Sequence, residues 1–133
     1  MVNDLKGECH CGQVKWTYHG KLEKVLACNC TACRRYGTLW AHGRKDEEIS
    51  VSGETLSYSY GDKSLAFHFC PNCGNLAYWM GLREREDGYR AAVNTRLAVD
   101  PSQIQNLTVR HFDGFDKFQH DPEDHRTVKD MWY

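Results

Sequence analysis

The sequence predicts a mainly β fold, and three observations predict it. Apolar residues recur at every second position, glycines punctuate those runs, and only one stretch carries a helix-start signal. The first run places Val14, Trp16 and Tyr18 on one strand face and Lys15, Thr17 and His19 on the other. Further along, Leu56, Tyr58 and Tyr60 alternate with Ser57 and Ser59, and Leu65, Phe67 and Phe69 alternate with Ala66 and His68. Leu76, Tyr78 and Met80 then alternate with Ala77 and Trp79. Each run reads as a half-buried strand. Glycines such as Gly12, Gly53 and Gly74 stand beside these runs, where a turn needs a residue that tolerates positive φ. The helical signal is Asp100 as a cap with Pro101 at the first helical position, which predicts one short helix at most, over 102–107. From 111 to 133 acids outnumber bases among scattered aromatic residues, and this tail is expected to be ordered where its aromatics dock.

The 133 residues suit one domain with one core. The 17 basic and 18 acidic residues nearly cancel and form no long run of one sign, so the electrostatic footprint of a nucleic-acid binder is missing. Residues 1–7 lack the apolar stretch of a signal peptide, and no segment approaches the ~18 apolar residues of a membrane span. A soluble, cytoplasmic protein is expected, with partners that are neither nucleic acid nor membrane.

All seven cysteines stand in tight clusters: Cys9-x-Cys11, Cys28-x-Cys30-x-x-Cys33 and Cys70-x-x-Cys73. Such spacing suits metal ligands, because neighbouring thiolates must reach one ion at about 2.3 Å from each sulfur. A reducing compartment keeps clustered cysteines as thiols, which again favours metal over disulfide. A closed structural zinc site takes four protein ligands and a catalytic one takes three, and seven is the sum. On an extended chain Cys9 and Cys11 point to the same side and can share an ion. Cys70 and Cys73, followed by Gly74, form a knuckle-like turn that offers two more ligands. Joining the pairs closes a loop of 70 minus 11, or 59 positions. That closure costs about 4 kcal/mol, against about 10–16 kcal/mol from a structural zinc. Cys9, Cys11, Cys70 and Cys73 are therefore assigned to a structural site.

Cys28, Cys30 and Cys33 remain as a compact group that can clasp a second zinc and leave a position open. Three thiolates make that ion electron-rich and a weak activator of water, but well suited to capturing a fourth thiol as thiolate. A free thiol, with a pKa near ~8.5, is mostly protonated at neutral pH. Arg34 and Arg35 follow directly and are candidates to offset the charge or grip a substrate carboxylate. Alternatives stand beside this reading. His42, His68 or His10 would close the second site as a purely structural one, Cys70 and Cys73 would form a redox pair, and iron–sulfur ligation also uses cysteines. Arg34 and Arg35 would be solvated surface residues, His42 an ordinary histidine, and Trp40, Phe67, Phe69 and Trp79 core rather than pocket wall.

The three clusters, as Gly7-x-Cys9-x-Cys11-Gly12, Cys28-Asn29-Cys30-Thr31-x-Cys33-Arg34-Arg35-x-Gly37 and Phe69-Cys70-x-x-Cys73-Gly74, resemble the glutathione-dependent formaldehyde-activating enzyme (Gfa) family, which includes centromere protein V. The likeness runs from about Gly7 to the 110–112 region. It implies a β-tent fold over a single zinc-binding domain, residues 1–133, with Cys9, Cys11, Cys70 and Cys73 as structural ligands and Cys28, Cys30 and Cys33 as catalytic ones. It further implies two zinc ions per chain and a carbon–sulfur lyase or synthase that joins glutathione to formaldehyde as S-hydroxymethylglutathione. Two other functions fit the same sequence: a non-catalytic zinc-stabilised binding module, and a labile zinc site that stores or senses the metal.

Overall fold

In a computed structural model, which describes residues 4–132, strands dominate as the two-residue alternation predicts. In chain order they are β1 (Leu5–Glu8), β2 (Lys15–Tyr18), β3 (Lys24–Cys28), β4 (Trp40–Arg44), β5 (Ile49–Ser52), β6 (Leu56–Tyr58), β7 (Leu65–Phe69), β8 (Leu76–Gly81), β9 (Arg90–Asn94), β10 (Thr108–Asp113) and β11 (Gln119–His120). They form a three-stranded sheet in the order β1-β2-β5 and an eight-stranded sheet in the order β11-β10-β3-β4-β9-β8-β7-β6. Neighbours are antiparallel except β10 and β3, which run parallel and set Phe112 opposite Cys28.

Alternation in the large sheet feeds two hydrophobic clusters. On β4, Ala41 joins a core with Leu5, Val14, Trp16, Ile49 and Val109, while Trp40 joins Cys33, Phe67, Leu76 and Ala92 in the other. On β9, Ala91 and Val93 belong to the first cluster and Ala92 to the second. Because successive side chains leave a strand on opposite faces, the large sheet carries one cluster per face. Val14, Trp16 and Tyr18 are buried as expected, and Trp16 packs so closely on β1 that a Cβ at Gly7 would lie 2.1 Å from its ring. That contact explains why a residue without a side chain stands at Gly7.

Three expectations are corrected. Leu56, Tyr58 and Tyr60 are exposed rather than half-buried, because β6 is the outermost strand of the large sheet. Asp100 accepts a hydrogen bond from the Ser102 N–H at 3.1 Å and Pro101 opens a turn, as predicted, but the turn closes as a 3-10 helix of three residues, Pro101–Gln103. The α-helical turns lie elsewhere, α1 at Cys33–Tyr36 and α2 at Val128–Trp132, so there are two short helices where at most one was expected. The tail, finally, docks through Phe112 in β10 but not through its other phenylalanines. Val128 is fully buried, and its N–H donates to the Leu107 carbonyl at 2.9 Å, whereas Phe115 and Phe118 are 68% and 75% exposed. No helix among the described residues is long and apolar enough to cross a membrane.

Candidate functional site

The turn between β1 and β2 carries Cys9 and Cys11, and the turn between β7 and β8 carries Cys70 and Cys73. Both are knuckles closed by a glycine in the left-handed region, Gly12 at φ 84° and Gly74 at φ 79°. The Gly12 N–H donates to the Cys9 carbonyl and the Gly74 N–H to the Cys70 carbonyl, each at 2.9 Å. The two turns are pinned together by the His10 N–H, which donates to Asn75 Oδ1 at 2.7 Å. The four sulfurs consequently converge within 4.8 Å of one another. Cys9 Sγ lies 3.6 Å from Cys11 Sγ, which is 3.5 Å from Cys70 Sγ. A tetrahedron with metal–sulfur bonds of 2.3 Å has edges of about 3.8 Å, so these spacings fit a zinc-sized ion. Backbone N–H groups aim at the sulfurs, from Val14 to Cys9 at 3.3 Å and from Asn72 to Cys70 at 3.4 Å, which suits thiolates better than thiols. The Asn75 and Cys11 N–H groups lower the Cys73 thiol to about 6.

The second cluster is assembled where β3 ends and α1 begins. Cys28 closes the strand, Cys30 sits in the turn and Cys33 opens the helix, with all three sulfurs within 4.8 Å of one another. The Cys30 N–H donates to Cys28 Sγ at 3.4 Å, the Cys33 N–H to Cys30 Sγ at 3.3 Å, and the buried Trp40 Nε1–H to Cys33 Sγ at 3.4 Å. The hydrogen bond from Cys33 lowers Cys28 to about 6, and the same bond together with burial pushes Cys33 up. Metal binding at such a cluster requires the thiols as thiolates and releases their protons. Gly114 completes the cradle. A Cβ there would lie 2.8 Å from Cys28 Sγ and 3.0 Å from Cys30 Cβ, so a side chain at this position would collide with the cysteines of the cluster. No histidine joins either cluster among the described residues. His10 is exposed, and His68 is held by Thr55 Oγ1 at 2.8 Å and stacks on Tyr78.

The clusters differ in what surrounds them. The first has Cys9 and Cys70 buried, each 1% exposed, with Cys11 at the surface, whereas the second opens into a cavity of about 630 Å³. Cys28, Cys30 and Cys33 form part of its wall, and Trp40, Phe67 and Trp79 from β4, β7 and β8 line the sheet side. These three aromatics are core and pocket wall together, while Phe69 does not border the cavity. Tyr60 closes one side, and Phe112, Phe115, Phe118 and His120 close the other. The hairpin of β10 and β11 is fastened to the cysteine loop by Asn29, whose Oδ1 accepts from the Phe115 N–H at 3.0 Å. The Asp113 carboxylate accepts from the N–H groups of Phe115, Asp116 and Lys117. Neither Arg34 nor Arg35 borders the cavity. Both are exposed on α1, and Arg35 donates to the Thr31 carbonyl at 2.7 Å and lines an adjoining groove with Tyr58 and Tyr60.

His42, on β4, reaches the same cavity and meets Trp79 edge-on at 5.7 Å. Although the residue is exposed to solvent through the cavity, the protein packed around it partly desolvates the ring and lowers its pKa below the ordinary histidine value, with Arg90 and His120 acting in the same direction. The fold therefore disfavours the protonated ring. This contribution to stability is fully present above the unfolded value near ~6.5 and is lost as pH falls through the depressed folded value. An NMR titration of the His42 ring protons is expected to give a midpoint below 6.5. A midpoint at or above that value contradicts the desolvated placement.

Sequence reasoning missed Gly114, the Trp40 donor and the role of the 112–120 hairpin in walling the cavity. The Asp113-Gly114 pair was a visible turn signal, but nothing local to it points to Cys28.

A mainly β architecture with two cysteine clusters able to hold metal ions, one of four sulfurs and one of three facing a cavity, defines the class of protein. Residues 4–109 match the model of the glutathione-dependent formaldehyde-activating enzyme family, and the chain belongs to that family. A solved structure of a Rhodobacter sphaeroides protein from a structural genomics programme is 24% identical, with a TM-score of 0.60 over 78% of this chain and 98% of that one, a likeness of fold. No curated protein matches.

Proposed function

We propose that the chain is a zinc-dependent carbon–sulfur lyase that joins a small thiol to an aldehyde and releases them again, on the family's pattern of glutathione and formaldehyde giving S-hydroxymethylglutathione. One observation carries the reading: four sulfurs converge in the first cluster, a full tetrahedral set, whereas the second brings together only three and faces a cavity. Cys9, Cys11, Cys70 and Cys73 would hold a structural zinc, and Cys28, Cys30 and Cys33 a second one. Zinc bound by three thiolates supplies a thiophilic Lewis acid that keeps a substrate thiol ionised near neutral pH.

The protein's own groups set up the rest. Trp40 Nε1–H and the backbone N–H groups of Cys30 and Cys33 stabilise negative charge on the cluster sulfurs. Burial first, and then the neighbouring Cys30 side chain, raise the Tyr60 pKa, so its hydroxyl stays protonated at the cavity wall. In the forward direction a bond forms between the thiol sulfur and the carbonyl carbon, and the carbonyl oxygen gains the proton that the thiol has lost. His42 and Tyr60 supply polar atoms to the same cavity where that oxygen develops charge. The charged ends of glutathione extend into flanking grooves, one lined by Arg35 and the other by Lys21, Lys24 and Arg110. Arg35 is thereby a carboxylate contact outside the cavity, and Arg34 has no such place.

Exchange NMR on glutathione with formaldehyde is the test. Zinc-loaded protein is expected to raise the exchange rate in proportion to its concentration, and a rate that does not respond sinks the reading.

A further inference from the structure

The cavity is built for more than formaldehyde. Its volume, about 630 Å³, falls within the range of sites that enclose drug-sized ligands, whereas formaldehyde offers one carbon and one oxygen to fill it. Aromatic side chains are prominent in the lining, with Trp40, Phe67, Trp79, Phe112, Phe115 and Phe118 facing the space beside the open cluster and Asp62 its one acid among the described residues. No lysine or arginine borders it among the described residues, and the nearby cations lie in the grooves on either side. The charged ends of the thiol substrate are therefore served outside the cavity, and the aromatic interior is left for its sulfur end and the other half of the adduct.

The hairpin supplies a second, independent observation. Phe115 and Phe118 are 68% and 75% exposed at the rim, large apolar side chains left facing solvent. Phe118 sits at φ 52°, a left-handed conformation that favours glycine and is costly for a bulky side chain. Strain of this kind persists where the surroundings enforce it and clusters at ligand clamps. Here the enforcing contacts are the Asp113 turn, the Asn29 tie and the edge-on packing of Phe118 on Phe112, with ring centroids 5.0 Å apart. Stacked or edge-on rings prefer aromatic partners.

We infer that the site prefers an aldehyde carrying an aromatic ring over formaldehyde, with the ring enclosed between the sheet aromatics and Phe115 and Phe118. The inference rests on the thiol–aldehyde reading above and names its carbonyl substrate class. Bond changes are unaltered: carbon–sulfur bond formation, with the proton passing from the thiol to the carbonyl oxygen, and no oxidant or reductant.

The test has two arms on the zinc-loaded full chain. In the first, quenching of tryptophan fluorescence reports binding of S-benzylglutathione and S-methylglutathione, because Trp40 and Trp79 line the cavity. The benzyl compound is expected to bind at least tenfold more tightly, and Phe115→Ala and Phe118→Ala are each expected to shrink that ratio severalfold. In the second, exchange NMR compares phenylacetaldehyde with formaldehyde, each with glutathione, and kcat/KM is expected to favour phenylacetaldehyde at least tenfold. Equal affinities for the two glutathione derivatives, or a ratio unmoved in both variants, overturn the inference. Acceleration confined to formaldehyde overturns it while the broader reading survives, and failure to accelerate either aldehyde overturns both.

Discussion

A Cys70→Ser chain is expected to be unfolded under conditions in which the parent is native. Cys70 is 1% exposed, its sulfur lies 3.5 Å from Cys11 Sγ, and the N–H groups of Asn72 and Cys73 point at it. Its cluster joins the β1–β2 turn of the small sheet to the β7–β8 turn of the large one, so a bound ion clamps the two sheets. A structural zinc contributes about 10–16 kcal/mol, and a domain's net stability is about 5–15 kcal/mol. Losing one ligand removes a large part of the first quantity and leaves three converging sulfurs around a hydroxyl that does not ionise. Circular dichroism with a metal count checks this, and a chelator is expected to have the same effect on the parent. A Cys70→Ser chain that keeps a cooperative melting transition at the parent's temperature contradicts the structural assignment.

Cys30→Ser is expected to do the opposite: keep the fold, lose one metal ion per chain and lose activity. Cys30 sits in a turn, half-buried, outside the sheet ladders, and its sulfur accepts only the Cys33 N–H at 3.3 Å among the hydrogen bonds seen. Its removal disturbs little packing. A metal acting as a Lewis acid is worth several kcal/mol of transition-state stabilisation, and each ~1.4 kcal/mol is tenfold in rate, so the exchange rate is expected to fall on the order of 10²- to 10³-fold. The melting temperature stays close to the parent's. Unchanged turnover in a Cys30→Ser chain that has lost the ion removes the second cluster from the chemistry. Loss of the fold would instead make both clusters structural.

How much of this was legible in one dimension varies by element. Val14, Trp16 and Tyr18 announce their strand because period-two alternation is a local property of a sheet that is buried on one face. The same pattern at Leu56, Tyr58 and Tyr60 misleads, since alternation reports that a strand has two faces and not whether anything covers either one. α1 spans four residues, too few to show a helical period, and it is visible only as the turn that follows Cys30. Trp40 and Phe67 looked like core and are core, yet the cavity beside them depends on an edge that no strand pattern can reveal.

Cysteine spacing determined the division of sulfurs into four and three before any fold was drawn, because ligands a few residues apart are held together by the chain itself. Which cluster faces the cavity was decided by long-range pairing. The parallel register of β10 on β3 sets Phe112 against Cys28 and carries Gly114 over the second cluster. It also hangs Phe115 and Phe118 over the cavity mouth, far along the chain from the cysteines they face. Contacts of that separation leave no mark in local periodicity, since their positions follow from strand order and not from the residues that flank them.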